Sequence, residues 1–529
     1  MSIARVDRRF EARLASLVNS GQRAPLSGGR KGVEKESMRV TPDGAVAHSP
    51  HPAALGSALT SSGITTDYSE ALIELITPAF ATTPELFAHL CDIHRFVYLN
   101  LGEELLWAAS MPGPIAGEQD IPIARYGSSN VGRMKHVYRV GLGLRYGRLM
   151  QAIAGVHFNY SFPTEAWGPL GEALRTRLVG QRFVDEGYFA LLRNYRRHGW
   201  LVLYLFGASP AVCEDFLLGK PAPDWLKPLG RNTLYARHAT SLRMSELGYR
   251  NKSQAGVSVS VNSLDEYVRD LSGLIATPSA EFARLGISVD GEWRQLNANV
   301  LQIENEYYSF IRPKRTTRPG ERPTRALGRA GVEYVEMRSL DVGVFDPAGI
   351  DEHKMRFLEA FAALCLLKDS PPIGRGDEQA LDANHVRVAR QGREAGLQLD
   401  WEGSAVGLDE WAGQLLEEMR GLCELLDQGE SDAPYTRALA LQQAKLADRS
   451  AVPSAQVLAA LEEHDGDFRA FGLAQSTAHR DHFRRLGPPG VERLEAFAAE
   501  AAESHLEQAR IEAADTEPFG QFVANWFAD

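Results

Sequence analysis

Apolar positions recur along this chain with two periods. Helical spacing runs through residues 2–20, an amphipathic stretch, and through 84–108, where Leu86, Leu90, Ile93, Phe96, Val97 and Leu101 fall on one face. A third helix is predicted over 165–198. Its basic end, Arg196-Arg197-His198, suits a helix C-terminus, and Gly199 is the expected stop. Strand-like runs lie between these helices, at 32–40, 71–77, 151–162 (closed by Pro163), 255–262 (Val257, Val259 and Val261 on one face), 299–311 and 331–341. A Gly- and basic-rich loop, 21–32, leads into the first. The mixture has no regular βαβ rhythm, which predicts an α+β fold with a mainly antiparallel sheet. Beyond about residue 350 the chain turns rich in Ala, Leu, Glu and Arg at helical spacing, broken by the loop 369–376. Two parts are expected: an α+β core over 1–350 and a helical region, 351–529, packed on it.

Carboxylates interrupt the strand-like runs. Glu34 and Glu36 lie in the first, Glu74 in the second close after Asp67 and Glu70, Glu304 and Glu306 in the fifth, and Glu333 and Glu336 in the last. Side chains alternate faces on a strand, so Glu34 shares a face with Glu36, and Glu336 with Arg338. Two carboxylates about 4 Å apart repel by roughly 4 kcal/mol at an effective dielectric near 20. Several on one cavity raise one another's pKa values unless cations neutralise them. Pairing with Lys35, Arg39 and Arg338 is one solution, but basic partners are few in these runs. A divalent ion bound with phosphate is the better one, since hard cations take oxygen ligands. His157, in Gly155-Val156-His157-Phe158-Asn159, is either a core histidine or a metal ligand or phosphate donor, with Asn159 on its face.

Composition narrows the partners. The 529 residues are 44% apolar and 24% charged, an ordinary globular balance, with formal net charge −11. That charge argues against a nucleic-acid partner. No window approaches a membrane span, and the charged N-terminus lacks an apolar leader. The four cysteines, Cys91, Cys213, Cys365 and Cys423, form no CxxC pair, so a zinc site is not expected and a reducing cytoplasm is.

The second chemical signal is basic. Arg312 and Lys314 point the same way in an extended segment after the run 299–311, and Arg318, Arg322, Arg325 and Arg329 follow. A mobile surface loop accounts for them; so does a clamp on the β- and γ-phosphates of a nucleotide. No P-loop, dinucleotide fingerprint, HExxH or nucleophile elbow is present; Gly141-Leu142-Gly143 with Gly147 has the wrong spacing. Tyr138, Arg243, Tyr249 and Arg338 sit among small polar residues that suit a substrate pocket, with Arg243 and Arg338 as candidate carboxylate binders or structural arginines.

These runs together resemble the proteobacterial glutamate–cysteine ligases. The matching stretches are 32–40, 64–78, 119–133, 155–163, 204–210, 239–253, 299–315, 333–341 and, near the C-terminus, 514–519. The likeness is strong over 30–345 and weaker across the helical third. It implies a fold related to the active-site half of glutamine synthetase, a curved antiparallel sheet forming a funnel wrapped by helices. The implied reaction is ATP-dependent joining of the L-glutamate γ-carboxylate to the amine of L-cysteine through γ-glutamyl phosphate, the first step of glutathione synthesis. By the same resemblance, Glu34, Glu36, Asp67, Glu74, His157 and Glu336 hold Mg²⁺ (Mn²⁺ as a substitute). Arg312 and Lys314 meet the ATP phosphates, and Arg312 and Arg338 are catalytic. Arg243 and Arg338 bind substrate, and Tyr68, Tyr138 and Tyr249 line the cysteine pocket, Tyr68 standing where relatives often carry Phe. Glutathione is an expected feedback inhibitor, and the protein an expected monomer or weak homo-oligomer. Two rivals stand beside this reading: a γ-glutamate ligase with another amine acceptor, and a non-catalytic metal- or nucleotide-binding protein.

Overall fold

Seven strands form one sheet, and every pairing in it is antiparallel. The computed structural model describes residues 7–20, 26–249, 257–318 and 320–528. The strands are β1 (Arg30–Val40), β2 (Ile64–Thr66), β3 (Leu72–Ile76), β4 (Leu105–Leu106), β5 (Val156–Ser161), β6 (Ile311–Lys314) and β7 (Tyr334–Leu340). Their order is β6-β7-β5-β1-β3-β2, with β4 pairing the end of β1. Long β1 is the spine, pairing β3 on one edge and β5 on the other. The α+β expectation and the antiparallel sheet are both realised.

The helices that matter for the site are α1 (Arg8–Val18), α2 (Thr83–Asn100), α3 (Asn130–Tyr146), α4 (Gly180–His198), α5 (Glu352–Leu367), α6 (Phe468–Leu486), α7 (Val491–Ala514) and α8 (Phe519–Ala528). Side-chain caps start several of them: Asp7 accepts from the amides of Arg9 and Phe10, Ser129 from Gly132, and Asp351 from Lys354. Helix α5 is buried along almost its whole length and lies behind the sheet. There Lys31 Nζ on β1 meets Glu359 Oε2 at 2.6 Å, both side chains buried, and the Tyr435 hydroxyl donates to Glu359 at 3.0 Å. A buried ion pair adds little net stability but fixes which groups meet. One apolar cluster runs through both halves of the chain. Among the described residues no helix is long and apolar enough to cross a membrane.

Several sequence expectations need correction. The run 299–311 is not a strand: residues Glu304–Glu306 form a single 3₁₀ turn, and the strand starts only at Ile311. Of 255–262, residues 255 and 256 lie outside the described residues, and 257–262 form no strand. The alternating valines still bury Val259 and Val261, but against the main core from an irregular segment. The helix expected over 165–198 is two, Trp167–Leu174 and α4, because Arg175 takes a left-handed conformation (φ 52°) and ends the first. Gly199 does not stop the chain's helicity. It keeps right-handed angles, and a new helix, Trp200–Phe206, follows at once. The stretch 84–108 is helical only to Asn100.

Candidate active site

Strand register assembles the acidic cluster. Across β1–β5, Glu34 is opposite His157, and across β1–β3, Glu36 is opposite Glu74. Across β7–β5, Glu336 is opposite Asn159, and across β6–β7, Arg312 is opposite Glu336. Directly opposed residues share a sheet face. One face therefore carries, in a row, a phosphate-type cation, an acid, an amide, a histidine and more acids. The acids, His157 and Arg312 of this row floor a cavity of about 440 Å³ that also takes in Asp67, Tyr68, Tyr138, Tyr249, Lys314 and Arg338. Arg243 alone of the expected set is not in its lining. It lies one layer behind, donating from Nη2 to the Arg338 carbonyl at 3.0 Å with its guanidinium 5.0 Å from the Tyr249 ring centre.

Two groups of donor atoms each lie within 4.8 Å of one another: Glu34, His157 and Glu336, and Glu36, Glu74 and His157. His157 joins them. Its Nδ1 is 3.0 Å from Glu34 Oε2 and 3.6 Å from Glu336 Oε1, and its Nε2 is 3.7 Å from Glu36 Oε1. Burial, then the Arg338 charge, lower its pKa, which keeps a ring lone pair free to bind. Asn159 Nδ2 steadies Glu34 at 2.9 Å.

The acids divide into two electrostatic kinds. Burial raises Glu336, but Arg338, Lys314 and His157 overcome it and hold the carboxyl well below its usual range. Arg338 Nη1 is 2.8 Å and Lys314 Nζ 3.6 Å from it. Glu34 also ends below its usual value: burial and then the Glu336 charge raise it, but the hydrogen bond and charge of His157, with Lys314 added, bring it down. Glu36 goes the other way: burial and then Asp67 push it up to about 8. Glu74 is raised well above its range by burial and by Glu34, Asp67 and Glu36. Buried carboxylates with mutual repulsion and raised pKa values are a donor set matched to a hard divalent cation.

The backbone makes room for this arrangement. A Cβ at Gly155 would stand 2.2 Å from Arg243 Nη2, and the Gly155 amide donates to Glu36 Oε2 at 2.7 Å. The glycines at 141 and 143, which matched no nucleotide loop, lie in α3, where a Cβ would meet the Gln302 amide at 2.3 Å and the Tyr68 hydroxyl at 2.4 Å.

Other acids of the sequence signal are structural. Glu306 is buried against Arg145 Nη1 at 2.8 Å, and Glu304 accepts from Arg322 Nε at 3.1 Å and from the Thr324 hydroxyl at 2.5 Å. Glu333 accepts from the Thr316 amide at 2.9 Å at the sheet edge. Glu70 takes the amides of His51 and Arg125.

Among the cleft residues that sequence reasoning missed are Lys135, Arg139, Tyr308 and Trp526. Tyr308 stacks on Tyr249 with ring centres 4.4 Å apart, nearly parallel. Lys135 and Arg139 flank the Tyr126 ring, and burial, then Arg139, lower Lys135 to about 8. A signal existed for two of these: Lys135, Tyr138 and Arg139 are spaced i, i+3, i+4 on one helix face. Trp526 is separated from the rest of the site by nearly two hundred residues, mostly helical, and carries no local signature.

An antiparallel sheet whose face gathers carboxylates, a histidine and cationic side chains, with no P-loop, is a donor set suited to a divalent cation and a phosphate, the chemistry a carboxylate-activating ligase needs. A model of the glutamate-cysteine ligase family matches residues 14–388, and the chain belongs to that family. Glutamate–cysteine ligases of Alcanivorax borkumensis and Azotobacter vinelandii are 48% and 49% identical to it, each over 98% of this chain and 99% and 98% of their own. The crystal structure of glutamate–cysteine ligase from Francisella tularensis in complex with AMP superposes with a TM-score of 0.89 at 34% identity, covering 95% of this chain and 98% of that one. A bifunctional glutathione synthetase from Pasteurella multocida shares the fold, at 23% identity and a TM-score of 0.69, over 90% of this chain and 54% of its own.

Proposed function

We propose that the chain is an ATP-dependent ligase that joins the γ-carboxylate of L-glutamate to the amine of L-cysteine. The observation that carries the reading is the acid–histidine floor set directly beside Arg312, Lys314 and Arg338, in one cleft with a tyrosine-walled recess. Family membership over nearly the whole chain supports the substrates.

In this reaction the glutamate γ-carboxylate oxygen attacks the γ-phosphorus of ATP, the bond to ADP breaks, and γ-glutamyl phosphate forms. The cysteine amine then attacks the acyl carbon, phosphate leaves with the bonding pair, and the amine gives up a proton. Arg312 and Lys314 neutralise the phosphate chain, and Arg338, backed by Arg243, neutralises the acyl phosphate or a substrate carboxylate. Glu34, His157 and Glu336, or Glu36, Glu74 and His157, would hold Mg²⁺, with Asp67 beside them; the single free lone pair of His157 would serve one ion, leaving carboxylates as the donors to any second, and Mn²⁺ would suit the same donors. The bound ions supply charge neutralisation at the transferred phosphoryl group. Tyr68, Tyr138 and Tyr249, with Tyr308, wall the recess for the small thiol-bearing amine.

On this reading residues 1–350 carry most of the chemistry and 351–529 buttress it. Glutathione, which repeats the product, is a feedback inhibitor. The enzyme works in the cytoplasm as a monomer or weak homo-oligomer, a setting that suits its four free thiols. The test is ADP release with glutamate plus cysteine, 2-aminobutyrate or larger amines, with products weighed by mass spectrometry. Cysteine and 2-aminobutyrate are expected to lead. An equal or faster rate with a larger amine replaces the cysteine assignment.

A further inference from the structure

The cleft has two apolar ends, and the ligase reading uses only one. At the first, Tyr249 and Tyr308 stack close to Glu36, and the Tyr249 hydroxyl donates to the Ile153 carbonyl at 2.8 Å. At the second, Met134, Leu296, Ile303, Pro323 and Trp526 line the wall. This end adjoins the phosphate-type cations. Arg312 Nη2 donates to the Asn305 carbonyl at 3.0 Å, two residues from Ile303, and Pro323 starts the short helix that follows β6.

Trp526 arrives there on α8, and α8 is fastened for the purpose. Its apolar face packs with Met134 and Val137 of α3 and with Leu296 in a small cluster separate from the main core. The Arg133 guanidinium covers the Phe519 ring at 4.4 Å, and Asn130 Nδ2 donates to the Glu517 carbonyl at 2.7 Å. Those contacts hold a half-buried indole at the cleft wall, and its Nε1 is buried with no hydrogen-bond partner among the described residues.

The three substrates differ sharply in what such a wall can hold. Glutamate and cysteine are small and polar at every reacting end. Only the base of the nucleotide is flat, large and aromatic. We propose that Trp526 packs against the adenine base of the bound nucleotide, and that α8 is docked on α3 to place it there. The proposal rests on the ligase reading and adds the base site to it. It also gives the last helix of the chain a function: a buttress alone has no need of an aromatic side chain in the cleft.

The test compares wild type with Trp526→Ala and Trp526→Phe. Base–aromatic stacking predicts that W526A raises the KM for MgATP about tenfold or more. The KM values for glutamate and cysteine stay within about twofold, and W526F lies between. Titration with MgADP changes the tryptophan fluorescence of wild type, and W526F lacks that component. An unchanged KM for MgATP in W526A, a shift confined to glutamate or cysteine, or identical MgADP titrations in wild type and W526F overturns the proposal. Should W526A not fold, the W526F kinetics and titration decide alone. Failure of the ligase reading is separate: it appears as no ADP release by wild type with glutamate and cysteine, and the MgADP titrations still read the base site.

Discussion

Glu36 and Glu74 stand directly opposite each other across β1–β3, two carboxylates in one register pair of the sheet floor. A folded-state pKa above the unfolded value means that the folded protein binds more protons. Stability then falls as pH rises from the unfolded pKa near 4.5 through the folded value, about 8 for Glu36. In EDTA, the melting temperature is expected to drop between pH 5 and 8, and Mg²⁺ is expected to restore it at the high end. Scanning calorimetry across that range checks this; an EDTA curve flat in pH contradicts it.

The same opposition makes Glu36→Gln a double signal. Metal-free E36Q is expected to be more stable than wild type at pH 8, by on the order of 1–2 kcal/mol, since a repelled charge is gone. Ligation is expected to fall by about a hundredfold or more, because one donor to the ion is lost. Urea melts in EDTA and initial rates at saturating substrates measure the two effects. Loss of both stability and activity indicates that Glu36 is a structural acid.

Gly155→Ala places a methyl group against the Arg243 guanidinium, 2.2 Å away in the present geometry. Arginine has to move, taking its hydrogen bond to the Arg338 carbonyl with it. Overpacking of this kind costs about 1–3 kcal/mol. The activity loss is expected to exceed what the stability change explains, at about tenfold or more. Kinetics well below the melting temperature separate the two.

Behind the sheet, Lys31→Met or Glu359→Leu alone leaves one buried partner uncompensated and is expected to cost about 3–5 kcal/mol. The double variant K31M/E359L is expected to recover most of it. Chemical denaturation of the four proteins gives the coupling directly, and additive losses remove the pair from the account.

Lys314→Ala removes the cation 3.6 Å from Glu336 Oε2 and one of two expected phosphate contacts. The KM for MgATP is expected to rise about tenfold, more steeply at low salt, with the KM for cysteine unmoved. Steady-state kinetics at two ionic strengths test it.

What was legible in the sequence followed the period-2 rule. Alternation put Glu34 with Glu36 and Glu336 with Arg338 on one face, and the structure places all four on the cleft. Register was not legible. Nothing local says that Glu74 meets Glu36, because that pairing depends on how the long connection from β1, which itself carries β2, returns the chain to β3. The same blindness turned 299–311 into a strand: Glu304 and Glu306 alternate and do reach the cleft lining, yet from a 3₁₀ turn, and each answers an arginine, Arg322 and Arg145, supplied from elsewhere. An acid in an apolar run reports burial with a cation, and sequence alone does not tell an arginine from a metal. The helical third was read by composition, so its helices were foreseen and Trp526, an aromatic in an amphipathic helix, was not.

The Lys31–Glu359 contact joins residues 328 apart in sequence. Closing a loop of that length costs roughly 5 kcal/mol of chain entropy before the contact returns anything. Contacts between remote residues also slow folding. Topology therefore weighs on the time course of refolding, because the acids and histidine of the floor come from strands far apart in sequence and meet only when β1, β3, β5 and β7 are paired. An ion added to the unfolded chain has no site to capture, so Mg²⁺ is expected to slow unfolding while leaving the rate of refolding unchanged.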